Sequence, residues 1–157
     1  MAETSQAVKK TIAYSRFFNF PLTPKEIHFW LISSKTYSYH QLKRFLPQKT
    51  SLSDRDTRQK LANITKTKLV VASQALRLIK TFPTVKLCAL SGSVAIGNPD
   101  VDDDIDFLII TSPHTLWLTR LLLIPLISLF FTRRQPGDNH RPNSLCFNLW
   151  LDENALT

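Results

Sequence analysis

The sequence predicts an α+β fold in which short helices come first and a mixed sheet with flanking helices follows. Three observations favour it: capped helix starts, one long stretch with a 3.6-residue apolar period, and three apolar runs rich in β-forming residues. Those runs are Val85–Leu90, Phe107–Thr111 and Leu145–Leu151. The 157 residues, 43% of them hydrophobic, can form one medium domain or two small ones, each with its own core.

Residues 1–50 are predicted to form three short helices. The first covers residues 5–18 and ends before Pro21, because proline disfavours helix at the residue that precedes it. Two capping boxes start the next helices, which are expected to end near Ser33 and Phe45. They are Thr23/Glu26 and Ser38/Gln41. Short helices joined by tight turns predict a helix-turn-helix or winged-helix-like module.

Residues 51–83 are predicted to be one long connecting helix, from about Asp56 to Lys80, capped by Ser53 or Asp54. Its apolar positions follow the helical period: Leu61, Ile64, Leu69, Ala72, Leu76 and Ile79. The opposite face is basic: Arg58, Lys60, Lys66, Lys68, Arg77 and Lys80. This basic face is either solvated or aligned with the phosphates of a nucleic acid.

The charge is unevenly distributed, with 16 Lys/Arg against 4 Asp/Glu in residues 1–90 and 4 against 8 in residues 91–157. A basic half suggests contact with nucleic acid, although solvated helix faces explain the charge equally well. Cys88 and Cys146 lie in apolar runs and are expected to be buried thiols rather than a disulfide framework. The N-terminal residues do not resemble a signal peptide, so a cytoplasmic protein is expected.

Residues 116–131 are apolar on nearly every side, which indicates either a buried helix or a membrane helix. Sixteen residues make a helix of about 24 Å, shorter than the ~30 Å hydrocarbon core of a bilayer. Arg120 and Pro125 also interrupt the segment. A buried helix is therefore predicted, with a membrane association or contact with a missing partner as the alternatives.

Two features between the first two predicted strands favour phosphate chemistry. Gly92 and Ser93 follow the first strand, where a glycine lets the backbone come close to a phosphate and a serine adds a hydroxyl donor. Asp104 and Asp106 are one residue apart at the start of the second strand, so their carboxylates point to the same side. Two adjacent carboxylates repel each other unless a cation lies between them, and Mg²⁺ or Mn²⁺ would suit such oxygen ligands.

This spacing resembles the signature of the polymerase-beta-like nucleotidyltransferase superfamily, in which Gly-Ser precedes an Asp-hydrophobic-Asp-hydrophobic strand by about ten residues. The resemblance extends over residues 84–152, and residues 84–157 would form the nucleotidyltransferase core. Residues 11–27 resemble winged-helix modules fused ahead of such domains. By this resemblance, Gly92 and Ser93 would hold a nucleoside triphosphate, and Asp104 and Asp106 would bind the metals. A nucleoside monophosphate would pass to a hydroxyl acceptor, with release of pyrophosphate.

The third carboxylate that many members carry on a neighbouring strand is the main departure from the family pattern. Asn148 is expected at that position and cannot act as a base, whereas Asp152 is on the same face by parity but four residues further along. Either Asp152 substitutes, or two carboxylates suffice, or the activity is impaired. Family members usually continue beyond this strand, so a chain truncated at Thr157 is also expected. The alternative function is a nucleic-acid-binding regulator with a degenerate transferase domain.

Overall fold

The computed structural model describes residues 2–47, 51–134 and 142–156 and shows a mixed α+β protein. The chain divides into two compact units, Met1–Lys60 and Leu61–Thr157. The first unit is helical, and the second contains a three-stranded sheet. This agrees with the α+β fold that the sequence predicts.

The first unit contains helices α1 (Ala2–Phe17), α2 (Pro24–Phe29) and α3 (Tyr39–Leu42). Each contributes to a small apolar core, with half-buried side chains around it. The buried members of this core are Val8, Ile27, Leu42 and Leu46. Burial of these side chains, rather than the length of any one helix, stabilises the unit, because helices of four to six residues are not stable alone.

Both predicted capping boxes are confirmed. In each, the Ncap hydroxyl accepts a hydrogen bond from the backbone N–H three residues on, and that residue's side chain accepts one from the Ncap N–H. The expected end of α2 near Ser33 is wrong. The Ile32 N–H donates to the Thr11 hydroxyl at 2.9 Å, so the chain leaves the helix after Phe29. Residues 2–47 and 51–60 contain no strand, and the winged-helix assignment stays a prediction.

Helix α4 (Leu52–Ile79) begins earlier than predicted, because Ser51 rather than Ser53 or Asp54 caps it: its hydroxyl accepts from the Asp54 N–H at 3.0 Å. The predicted core face is only partly correct. Ala72 and Ile79 are buried, as is Ala75, whereas two of the predicted apolar positions are largely solvent-accessible. These are Leu69, 42% exposed, and Leu76, 39% exposed. Small alanines at the buried positions allow close helix packing, which periodicity of large residues does not reveal.

The second unit contains β1 (Val85–Ser91), the single turn α5 (Gly92–Ala95), β2 (Ile105–Thr111), α6 (Leu116–Phe130) and β3 (Leu145–Asp152), followed by a 3₁₀ turn at Glu153–Leu156. The strand order is β1-β2-β3. β1 is antiparallel to β2, and β2 is parallel to β3, with α6 in the connection between the parallel strands. The strand start of β2 and the Gly-Ser turn therefore lie at one edge of the sheet.

The central strand β2 alternates in burial. Ile105, Phe107, Ile109 and Thr111 are buried, and the side chains between them are half-buried. The continuous apolar sequence of this strand predicts burial on both faces, but only one face is fully covered. The covered face packs on the second core, which also includes Leu123 and Ile127 of α6. The half-buried face begins with Asp106.

Helix α6 is buried on one side only, through Thr119, Leu123 and Ile127. Its outer apolar residues are largely exposed, so the prediction of a fully buried helix is wrong. They are Trp117, Leu118, Leu121, Leu122, Leu129 and Phe130, each more than half exposed. Within the part of the chain that the structure describes, no helix combines the length and apolar character needed to cross a membrane.

Candidate functional site

The two sequence features singled out for phosphate chemistry meet at the edge of the sheet. Ser91, the residue before Gly92, pairs with Asp106 across β1 and β2. On its other side, Asp106 pairs with Cys146 in the parallel strand β3. Asp106 therefore lies in the central strand, between the end of β1 and the beginning of β3.

Gly92 makes close backbone contact with the Asp106 carboxylate. Its φ of +65° is in the left-handed region that glycine adopts readily. A Cβ at this position would overlap Oδ2 of Asp106 and lie 3.0 Å from its Cγ. Glycine at this position thus allows both the turn into α5 and the observed position of Asp106.

Asp104 lies just before β2, and its side chain is 15% exposed. Its Oδ2 accepts a hydrogen bond from Nη1 of Arg134 at 2.8 Å. Arg134 follows α6 and is adjacent to the start of β3, so residues 30 positions apart in sequence form this ion pair. The positive charge of Arg134 partly compensates the two neighbouring carboxylates.

Asp104, Asp106 and Cys146 each place one potential ligand atom within 4.8 Å of the other two. Burial, followed by the charge of Asp104, raises the pKa of Asp106 above its ordinary value. Two carboxylate oxygens suit Mg²⁺ or Mn²⁺, and the sulfur adds a ligand that Mn²⁺, Zn²⁺ or Cd²⁺ accepts more readily than Mg²⁺ does. The donor set therefore fits a divalent cation.

Asn148 is the β3 residue beside the carboxylate pair. The strand pairing is irregular between Phe107 and Leu108, so Asn148 is the extra residue of a bulge. Its Nδ2 donates to Oδ1 of Asp106 at 2.5 Å, and its Oδ1 accepts from the Cys146 thiol at 2.9 Å. An amide in this position orients Asp106 but does not accept a proton.

Asp152, the other residue considered for the third position, lies at the opposite end of β3. It pairs with Thr111, five residues along β2 from Asp106. Its carboxylate accepts hydrogen bonds from the backbone N–H groups of His114 at 2.7 Å and Asn154 at 3.0 Å. Five residues of strand correspond to about 17 Å, so Asp152 does not reach the cluster.

Ser93 is bonded within the acidic loop. Its hydroxyl donates to Oδ2 of Asp103 at 2.6 Å, and the same oxygen accepts the Asp100 N–H at 3.0 Å. Val94 in the turn α5 is buried and anchors this segment in the core. The loop between α5 and β2 is therefore stabilised by hydrogen bonds to the carboxylate of Asp103.

Lys68 forms hydrogen bonds to this loop. The sequence predicts it on the basic, solvent-facing side of α4. The expectation is wrong, because Lys68 is 1% exposed. Its ammonium donates to the backbone oxygens of Val101 at 3.0 Å and Asp103 at 2.5 Å, and to Oδ1 of Asn143 at 3.3 Å. Desolvation lowers its pKa, and the carboxylate of Asp103 opposes that shift most strongly.

Sequence reasoning missed three residues of this region: Cys146, Arg134 and Lys68. A weak sequence signal for Cys146 exists, because it lies two residues before Asn148 and would share its face in a regular strand. Arg134 has none beyond its position after an apolar helix. Both cysteines were expected to be buried, but they are only partly so, and burial raises the pKa of each thiol to about 11.

Comparison of the chain with protein-family models found no match, and comparisons with curated proteins and with solved structures found none either.

Proposed function

We propose that the chain is a metal-dependent nucleotidyltransferase that moves a nucleoside monophosphate from a triphosphate to a hydroxyl acceptor. One observation carries the proposal. The Gly92 turn and the Asp104/Asp106 pair, which are separated by a loop in sequence, lie against each other at one edge of the sheet. A glycine turn whose backbone N–H groups can contact phosphate, next to a divalent-cation site, is an arrangement that supports phosphoryl transfer.

Individual residues of the chain would have distinct roles in this reaction. Asp104 and Asp106 would bind the cations, and the backbone at Gly92 and Ser93 would contact the β- and γ-phosphates. A bound divalent cation supplies charge neutralisation and lowers the pKa of a coordinated hydroxyl. The acceptor oxygen would form a bond to the α-phosphorus as the bond to the pyrophosphate oxygen breaks. Asn148 would hold Asp106 in orientation, and the hydroxyl proton would pass to solvent.

Triphosphate binding tests this proposal. We expect a fluorescent nucleoside triphosphate to bind only with Mg²⁺ or Mn²⁺ present, and Asp106→Asn to reduce that affinity at least tenfold, as expected when a charged metal ligand is removed. Asp102→Asn is the matched control, because Asp102 is exposed in the loop that precedes β2 and its substitution removes the same charge. Equal affinity of the wild type and Asp106→Asn would refute the site.

Catalysis needs a separate measurement. Incubation of the protein with each of the four α-³²P-labelled triphosphates and a lysate of candidate acceptors should transfer label with one or more nucleotides. Transfer should be lost in Asp104→Ala/Asp106→Ala. Binding without transfer to any acceptor would favour a degenerate transferase.

The second candidate is a nucleic-acid-binding regulator, and three observations favour it. Residues 1–60 contain 11 Lys/Arg against 4 Asp/Glu, and aromatic rings of the first unit are exposed, including Tyr14 at 63% and Phe17 at 81%. Exposed aromatic side chains can stack on unpaired bases, and basic residues neutralise phosphates. Asn148 in the third position also favours a degenerate site.

A salt titration distinguishes this candidate. Single-stranded RNA or DNA affinity, measured by fluorescence anisotropy, should fall steeply between 50 and 200 mM salt, by roughly tenfold or more if several phosphates are contacted. Phe17→Ala should weaken binding further at every salt concentration. Absence of binding at 50 mM salt would exclude this role.

A further inference from the structure

Arg134 is fixed next to the carboxylate pair by its backbone. Its N–H donates to the Leu145 carbonyl at 3.0 Å, and the Leu145 N–H donates to the Thr132 carbonyl at 2.9 Å. These bonds place residues 132–134 beside the first residue of β3, which itself pairs with Ile105 of β2. The Arg134 side chain is therefore anchored at the sheet edge where Asp104 and Asp106 lie.

The Arg134 guanidinium pairs with one of the candidate metal ligands. One of its nitrogens, Nη1, lies 2.8 Å from Oδ2 of Asp104, and the pairing raises the pKa of Arg134 further. Asp104 is also a member of the cluster that fits a divalent cation. A metal that binds Asp104 consequently competes with Arg134 for the same carboxylate.

The ion pair has the features of an exchangeable contact. It involves a single Nη1–Oδ2 hydrogen bond rather than a bidentate pair, and the Arg134 side chain is 45% exposed. Ion pairs of this kind contribute little to stability, because water screens them. The guanidinium has five N–H donors in a planar fork, and that geometry matches phosphate oxygens as well as carboxylates.

We propose that Arg134 is a substrate-binding residue that exchanges partners: it neutralises Asp104 before substrate binds and pairs with a phosphate of the triphosphate once a divalent cation binds Asp104. The inference rests on the proposed nucleotidyltransferase site. It assigns to Arg134 a role in two states of that site. In the metal-free state it opposes metal binding, and in the metal-bound state it favours the anionic substrate.

Two affinities measured on the same variants test the exchange. Mn²⁺ binding without nucleotide is followed by electron paramagnetic resonance, and triphosphate binding at saturating Mn²⁺ is followed by fluorescence anisotropy. Arg134→Gln should bind Mn²⁺ about fivefold more tightly, the factor that corresponds to losing one competing surface ion pair. The same variant should bind the Mn²⁺–triphosphate about fivefold or more weakly. Arg77→Gln, an exposed position on α4, should change neither affinity.

Arg134→Lys separates partner exchange from a general effect of charge. It keeps the positive charge but lacks the planar fork, so it should weaken triphosphate binding while leaving the Mn²⁺ affinity nearer to that of the wild type. If Arg134→Lys equals the wild type in both measurements, long-range charge is sufficient and the proposal is overturned. A parallel loss of both affinities in Arg134→Gln would also overturn it, because that result indicates a structural role.

The outcomes also separate this inference from the proposed function. If Asp106→Asn abolishes triphosphate binding but Arg134→Gln does not shift the two affinities in opposite directions, only the exchange is wrong. If the wild type binds neither Mn²⁺ nor the triphosphate, both are wrong. Thermal unfolding of each variant, measured under the same conditions, should show intact folding.

Discussion

Substitution of Gly92 by alanine tests the geometry of the site directly. Gly92 has a φ of +65°, and an added Cβ would overlap Oδ2 of Asp106. Gly97 has a similar φ of +72°, but among the described residues no atom beyond its own chain neighbours lies within 4 Å of the position that its Cβ would take. The two glycines thus form a matched pair, equal in backbone strain and different in crowding.

The expected losses of stability follow from backbone strain, which both variants share, and from crowding, which only Gly92→Ala introduces. Alanine in the left-handed region costs about 1–2 kcal/mol, and both variants should show this loss. In Gly92→Ala the Asp106 carboxylate must also rotate away, which breaks the hydrogen bond from Asn148 at a cost of about 1 kcal/mol. Any residual overlap adds about 1–3 kcal/mol more. Gly92→Ala should therefore be at least about 1 kcal/mol less stable than Gly97→Ala.

The free energy of unfolding is measured by urea titration, with the fluorescence of Trp117 and Trp150 reporting on the second unit. Mn²⁺ affinity is measured in parallel and should fall in Gly92→Ala but not in Gly97→Ala, because only the former displaces Asp106. Asp106→Ala should remove the extra cost of Gly92→Ala, which a double-mutant cycle detects. Equal losses of stability and unchanged Mn²⁺ affinity in both glycine variants would refute the proposed contact.

Three further outcomes are expected. Lys68→Met should lower the free energy of unfolding by about 3 kcal/mol in urea titration, because three partly buried acceptors lose the buried ammonium that donates to them. Asp106→Asn should raise the thermal unfolding midpoint in the presence of chelator at pH 7, because the raised pKa of Asp106 means that its ionisation destabilises the folded state. This gain in the midpoint should vanish as the pH falls below 3.8, where the carboxyl of the wild type is protonated in both the folded and the unfolded state. Iodoacetamide should modify Cys88 and Cys146 slowly at pH 8 and faster toward pH 11, and Cd²⁺ should protect only Cys146, as read by mass spectrometry.

Each of these expectations has a contrary result that is equally clear. Wild-type stability of Lys68→Met would show that the acidic loop does not depend on the buried ammonium. A lower midpoint for Asp106→Asn at pH 7 would show that the carboxylate is stabilised rather than strained. Equal protection of Cys88 and Cys146 by Cd²⁺ would exclude specific metal binding at the cluster.

Features that depend on near neighbours in the chain are predictable from the residue types alone. The capping boxes at Thr23 and Ser38 involve hydrogen bonds across three residues, so the residue types alone predict these helix starts. The alternation of Asp104, Ile105 and Asp106 follows from the two-residue period of a strand, and burial of Ile105 agrees with it. Local chemistry of this kind requires no knowledge of the rest of the chain.

Most of the distant residues around Asp106 are brought there by the folding of the chain. The sequence predicts Asn148 beside Asp106, but the bulge at Asn148 shifts the register, so Asp152 pairs with Thr111 and does not share the face of Asp106 as strand parity predicts. Arg134 and Lys68 reach the site through contacts 30 or more residues apart in sequence. Such contacts depend on strand register and helix packing, which arise from the summed burial of many side chains. No short sequence pattern reports the summed burial of many side chains. For this reason, the Arg134 guanidinium beside Asp104 and the buried Lys68 beneath the acidic loop are evident only in the folded chain.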